Sequence, residues 1–118
     1  MKNNKFVNFT NHPHDRWDEK QLKAAQKYGE VVDVPFPNVD PSATREEILS
    51  LSDIYVKKIE ELEPNAVLCQ GEFTLCYNVV KKLKKKGYLV FSSTSNRVVV
   101  EKGNVKESIF EFVQFREY

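Results

Sequence analysis

Four short polar segments carry the residues best placed to act on a ligand. These are Thr10-Asn11-His12, Phe36-Pro37-Asn38, Gln70-Gly71-Glu72-Phe73-Thr74 and Ser92-Ser93-Thr94-Ser95-Asn96-Arg97. In the third, Gly71 would let the backbone approach a ligand closely. The amides of residues 72–74, free at a helix N-terminus, would suit a phosphate, and Thr74 would add a hydroxyl. Glu72 pulls the other way, because a carboxylate there complements the helix dipole for structural reasons alone and repels an anion. Two roles therefore stay open for it: a first-turn acid, or a general base and acceptor of ribose or amine protons. In the fourth segment, consecutive hydroxyls at Ser92, Ser93, Thr94 and Ser95 suit phosphate or sugar oxygens, and Arg97 offers a bidentate charge. A polar turn leading into a hairpin explains the same residues without a ligand. His12 can carry a proton near neutral pH or simply tie down its loop.

Motifs narrow the chemistry by what they omit. There is no GxxxxGK[ST] phosphate loop and no GxGxxG dinucleotide turn. A GxSxG nucleophile elbow is also missing. His12 and His14 do not form a zinc pair of recognised spacing with a third ligand, so neither a metal nor a cofactor is assigned. Cys69 and Cys76 match neither a zinc site nor a C-x-x-C redox pair and read as packing residues in a reducing compartment.

Each polar segment follows a stretch that reads as a strand. Phe6–Thr10 is β-prone, and residues 30–36 follow as a second strand whose Pro35 belongs at an edge or an end. Ala66–Cys69 and Tyr88–Phe91 are short and apolar, as expected of central parallel strands covered on both faces. Between them lie helical patterns. Asp15 is a plausible N-cap for the first, which carries Trp17, Gln21, Ala24, Ala25 and Tyr28 and stops at Gly29. Thr44 and Glu47 form a capping-box pattern ahead of Ile48, Leu51, Tyr55, Ile59 and Leu62. The third begins near Glu72 or Phe73, turns Cys76, Val79, Val80 and Leu83 inward, and stops at Gly87. Its run Lys81-Lys82-Leu83-Lys84-Lys85-Lys86 reads as a solvated C-terminal cap complementing the dipole. Val98–Glu101, a turn at residues 102–104 and the Phe-rich Ser108–Arg116 read as a hairpin. Its apolar residues alternate on both faces, which predicts that both are covered.

This order predicts a single α/β domain over residues 1–118. Its architecture would be a three-layer Rossmann- or flavodoxin-like sandwich with a mostly parallel sheet and a C-terminal antiparallel hairpin. In such sheets ligands bind along the carboxyl edge of the strands. The segments should therefore converge, with Thr10, Gln70, Thr74, Ser93 and Arg97 as neighbours.

At 118 residues one core suffices, since a chain of this length hides roughly two-thirds of its unfolded surface. A net charge of +1 argues against general DNA or RNA binding, which usually needs a marked basic excess. No run approaches the roughly 18 apolar residues of a membrane span, and Met1–Lys5 lacks a leader's apolar region. The expectation is a cytoplasmic protein without membrane contact.

In Phe6-Val7-Asn8-Phe9-Thr10-Asn11-His12-Pro13 and in Ser92–Arg97, together with its length and element order, the chain resembles a known group. These are the small Rossmann-like, CARF-related proteins encoded with type III CRISPR systems in antiviral defence and proposed as ring nucleases. The resemblance does not extend to Gln70-Gly71-Glu72. It implies a homodimer whose paired crevices bind a cyclic oligoadenylate across the two-fold axis. It also implies metal-independent cleavage, in which a ribose 2′-hydroxyl attacks the adjacent phosphate. Arg97 would then stabilise the developing charge, and Ser93, Thr94 and Thr74 would orient the phosphate. Gln70 and Asn11 would read adenine or ribose edges, and His12 would move the proton. Two other functions fit the residues: a nucleoside or nucleotide hydrolase using Glu72, and a non-catalytic interaction domain working through the hairpin.

Overall fold

The computed structural model describes residues 4–118; Met1–Asn3, part of the segment read against a leader, lie outside the described residues. The elements run β1 (Lys5–Phe9), a single 3-10 turn (His14–Arg16), α1 (Glu19–Gln26), β2 (Glu30–Asp33), α2 (Arg45–Glu61), β3 (Ala66–Cys69), α3 (Phe73–Lys85), β4 (Val90–Lys102) and β5 (Val105–Glu117). They form a mixed α/β fold on one five-stranded sheet of order β2-β1-β3-β4-β5. The first four strands are mutually parallel, and β5 returns antiparallel to β4.

Alternation along the strands divides the core in two. Val7, Phe9, Val67, Cys69 and Val90 pack with Ile48, Val56 and Ile59 of α2 and with Leu75, Val79 and Leu83 of α3. Phe6, Ala66, Leu68 and Phe91 pack instead with Ala25, Leu22, Trp17 and Tyr28 around α1. Successive strand side chains point to opposite faces, so α2 and α3 cover one side of the sheet centre and α1 the other. The short apolar run at β3 follows from that double cover.

Local signals set the helix ends. Thr44 Oγ1 accepts from the Glu47 amide while the Glu47 carboxylate accepts from the Thr44 amide, closing the expected capping box. At α1 the cap is Asp18 rather than Asp15: Asp18 Oδ1 accepts from the Gln21 amide at 2.7 Å. The 3-10 turn and the extended Trp17 (φ −75°, ψ 150°) use up the preceding residues, so the helix starts one turn late. The lysine run ties α3 to α2, with Lys82 reaching Ser52 and Asp53 and Lys86 reaching Glu60.

The largest departure from the sequence reading is at the C-terminus. Tyr88–Phe91 and Val98–Glu101 are not separate strands, and Ser92–Arg97 is not a loop. All of Val90–Lys102 is one strand paired continuously to β5, with a bulge between Thr94 and Ser95. The turn needs only Gly103 and Asn104, and Gly103 at φ 64° takes the positive φ that the first position of a type II′ hairpin demands. β4 pairs with β3 only at Val67↔Val90 and Leu68↔Phe91. From Ser92 onward the hairpin outruns the parallel strands, at roughly 3.3 Å per residue; α1 packs against its base, around Phe115, and leaves its outer part exposed. Hence the expectation that both its faces are covered fails: Phe112 is buried, whereas Phe110 is 67% and Val105 65% exposed.

Candidate functional site

Beyond β1 the chain is held by a buried polar network. Asn8 is the nearly inaccessible residue at its centre. Its Nδ2 donates to the His12 carbonyl and to Asp33 Oδ1, both at 2.8 Å, and its Oδ1 accepts from Thr10 Oγ1 at 2.8 Å. Thr10 Oγ1 in turn accepts from the His12 amide at 3.1 Å, and Trp17 Nε1 donates to the His12 carbonyl at 3.1 Å. Asp33 holds His14 through the backbone amide and the ring Nδ1, the latter at 2.8 Å. Burial pushes the Asp33 carboxyl up, but the hydrogen bonds from Asn8 and His14, with the His14 charge, bring it below its ordinary value. The outcome is a fixed backbone at His12. Among the described residues its imidazole has no hydrogen-bond partner, which leaves it available to a ligand.

That loop forms one wall of a cleft of about 350 Å³ at the carboxyl ends of β1 and β3, on the α1 side of the sheet. Thr10 and His12 come from the loop, Arg16, Trp17, Asp18 and Gln21 from the turn and the start of α1, Gln70 from the end of β3, and Ser93, Thr94 and Ser95 from β4. Leu68, Phe110 and Phe112 add apolar surface. Gln70 Oε1 accepts from the Ser93 hydroxyl at 2.6 Å and from the Ser93 amide at 3.2 Å, which leaves Nε2 as a donor. Thr94 Oγ1 is engaged across the bulge with the Gln114 carbonyl and amide. No carboxylate pairs with Arg16 among the described residues.

Of the residues singled out from sequence, Thr10, His12, Gln70, Ser93, Thr94 and Ser95 gather here, and Asn11, Gly71, Glu72, Thr74 and Arg97 do not. Arg97 lies out on the hairpin, where Nε and Nη2 donate to Ser108 Oγ at 3.2 and 3.0 Å. Thr74 and Glu72 belong to α3, across the sheet from the cleft, and Thr74 Oγ1 donates to the Glu72 carboxylate. Glu72 is the N-cap of α3 and its Oε2 accepts from the Leu75 amide at 2.8 Å. The expected phosphate cradle is thus filled by the chain's own carboxylate. Burial raises the Glu72 carboxyl, but the Leu75 amide and the Thr74 hydroxyl and amide lower it further, which weakens it as a base. Gly71 serves packing rather than ligand approach, since a Cβ there would lie 2.6 Å from three ring carbons of Phe36. Asn11 is exposed at the turn.

Arg16, Trp17, Asp18 and Gln21 are not among the site residues read from the sequence, in which Trp17 and Gln21 count only toward the helical spacing of the first helix. The available signal was positional: the segment following a central strand must cross the carboxyl edge, so every polar residue between Thr10 and the first helix was a candidate.

Fold and cleft together define an α/β protein with a mostly parallel sheet and a mixed polar and aromatic crevice at its strand ends. Residues 4–116 match the model of the Uncharacterized protein MJ1673 family. The chain belongs to that family. No curated protein matches the sequence. Among the described residues no helix is long and apolar enough to cross a membrane.

Proposed function

We propose that the cleft binds a nucleotide, with an adenylate phosphodiester as the ligand class. The observation that carries this reading is one cavity holding an arginine without an ion-pair partner among the described residues (Arg16), a histidine, the Ser95 hydroxyl and Gln70 Nε2 as uncommitted donors, and the aromatic rings of Trp17, Phe110 and Phe112, with Asp18 held at the helix start by the Gln21 amide. A phosphate calls for the guanidinium, a base for an aromatic face, and its edge for Gln70 Nε2. At about 350 Å³ the cleft is near the small end of ligand sites and suits one nucleotide unit. A cyclic oligoadenylate would span two copies, so a homodimer belongs to the same proposal. So does a cytoplasmic setting, and so does reading the helices and sheet as a three-layer Rossmann-like sandwich. If the bound phosphodiester is cleaved, the 2′-hydroxyl attack runs past Arg16 and His12, not Arg97 and Glu72.

The test is a thermal-shift panel of adenosine, AMP, linear and cyclic oligoadenylates, with solution mass measured alongside. A ligand at 100 times its Kd adds about 2.7 kcal/mol of stability. We expect phosphorylated adenylates to shift the melting temperature and adenosine to do so weakly. No shift across the panel rejects the reading. Product analysis after incubation with the cyclic ligands then separates binding from cleavage.

The hairpin favours a second reading, an interaction domain. Val99, Val105, Ile109 and Phe110 are all exposed on it, and apolar side chains at such density mark contact surfaces. Charged substitutions at Val105 and Ile109 that abolish association while leaving nucleotide shifts intact would support it.

A further inference from the structure

Across the sheet from the cleft, the β3 end and the first turns of α3 bring two thiols together. Cys69 Sγ and Cys76 Sγ are 3.6 Å apart, both in the buried core. The Tyr118 hydroxyl donates to the Cys69 carbonyl at 2.7 Å and lies 3.7 Å from Cys76 Sγ. Cys69 is fully enclosed, whereas Cys76 is 8% exposed and opens on a groove of about 600 Å³ walled by Phe73, Tyr77, Val80 and Tyr118, with Lys81 and Lys84 at its rim. Two of those rings, Phe73 and Tyr77, are 87% and 63% exposed, so the groove presents apolar surface to solvent beside the thiol. The two sulfurs are inequivalent. The hydrogen bond shared with Cys69 draws Cys76 down to about 7 against the effect of burial, while that bond and burial push Cys69 up.

We propose that Cys76 is a site of oxidation by alkyl hydroperoxides and that Cys69 resolves it to an intramolecular disulfide. The Cys76 thiolate attacks the terminal oxygen of the hydroperoxide: an S–O bond forms, the O–O bond breaks, and the alkoxide takes up a proton and leaves as the alcohol. The Cys69 sulfur then attacks Cys76; the S–S bond forms, the S–O bond breaks, and hydroxide leaves with the Cys69 proton as water. Two thiols are oxidised and one hydroperoxide is reduced to alcohol and water. The sulfurs need close by only about 1.5 Å to reach bonding distance. The apolar groove selects the class of oxidant, favouring an alkyl hydroperoxide over hydrogen peroxide. The bridge would brace the turn that carries Gln70, the residue tied to Ser93 in the cleft.

The experiment treats the folded chain with cumene hydroperoxide or hydrogen peroxide at equal concentration, then alkylates with N-ethylmaleimide in denaturant. No lysine or arginine separates Cys69 from Cys76, so trypsin leaves them on one peptide; cleavage after Glu72 parts them, and a bridge holds the two peptides together until reduction. We expect an alkylation-resistant species lighter by two hydrogens, formed severalfold faster with cumene hydroperoxide, and linked peptides on mapping. In Cys69→Ala the sulfenic acid should persist and be trapped by dimedone. Full alkylation of both thiols overturns the proposal, as does sulfinic acid at Cys76 with Cys69 still free, or equal rates with the two oxidants. The wild-type mapping stands whether or not the variant folds.

Discussion

Two sets of polar groups stand at the same edge of the sheet, one on the α1 side and one at the start of α3, and they differ in what is left over. At the start of α3 the groups satisfy one another: Glu72 caps Leu75, Thr74 donates to Glu72, and Gly71 fits against Phe36. On the α1 side the network around Asn8 is equally complete, yet its bonds join Asn8, Thr10, Asp33, His14 and the His12 backbone and leave the His12 ring, Arg16 and Gln70 Nε2 facing a cavity. A strand-end position is therefore necessary for a site here but does not suffice. The count of unspent donors and charges separates the two.

The largest effect that tests this contrast should come from Asn8→Leu. It removes the partner of Thr10, Asp33 and the His12 carbonyl at once, and an unsatisfied buried polar group costs about 1–3 kcal/mol. We expect a loss of about 3 kcal/mol in urea-induced unfolding, with nucleotide shifts lost too because the His12 loop is released. A loss below 1 kcal/mol would mean that the network does not hold the loop.

Arg16→Ala comes next. A charge-assisted hydrogen bond contributes about 1.5–3 kcal/mol, so affinity for phosphorylated adenylates should fall by one to two orders of magnitude with the unfolding midpoint unchanged. Isothermal titration calorimetry reads both this and the control with adenosine, whose weak binding should not change. Glu72→Ala is the matched experiment across the sheet. Loss of a cap costs about 1 kcal/mol, seen in chemical denaturation, and ligand binding should stay at wild-type strength. If instead Glu72→Ala abolished binding and Arg16→Ala did not, the assignment of the two sides would be reversed.

The same network has a pH signature. The folded-state pKa of Asp33 lies below its unfolded value, so its contribution is present above the unfolded carboxylate range and is lost as pH falls through the lower, folded value. Asp33→Asn should flatten the acid limb of the stability curve relative to wild type, measured as unfolding midpoint against pH.

The parts of the fold legible in the sequence were those fixed by local rules. The Thr44–Glu47 box, the double-sided burial of Ala66–Cys69 and the start of α3 all follow from spacing and polarity within a few residues. The site was half legible: Thr10, His12, Gln70 and Ser93 converge because strand ends converge. Thr74 went astray because a residue number does not say on which face of the sheet a helix lies. Ser92–Arg97 misled for another reason. Hydroxyl-rich segments favour turns, and only the pairing partner, Phe110–Arg116, makes this one a strand. Tertiary context overrode propensity there.

The smallest effect expected is at Arg97. Its guanidinium bonds to Ser108 on an exposed arm, and surface substitutions of this kind usually lie within about 0.5 kcal/mol. Arg97→Ala should leave both the unfolding midpoint and the affinity for adenylates unchanged in the same calorimetric assay. A tenfold loss of affinity would place Arg97 at a ligand, and because the residue stands apart from the cleft of its own chain, that ligand would have to be held between two copies with the arm of one reaching the crevice of the other. The comparison of Arg16 with Arg97 in one titration thus distinguishes a cleft complete within a single chain from one completed by association.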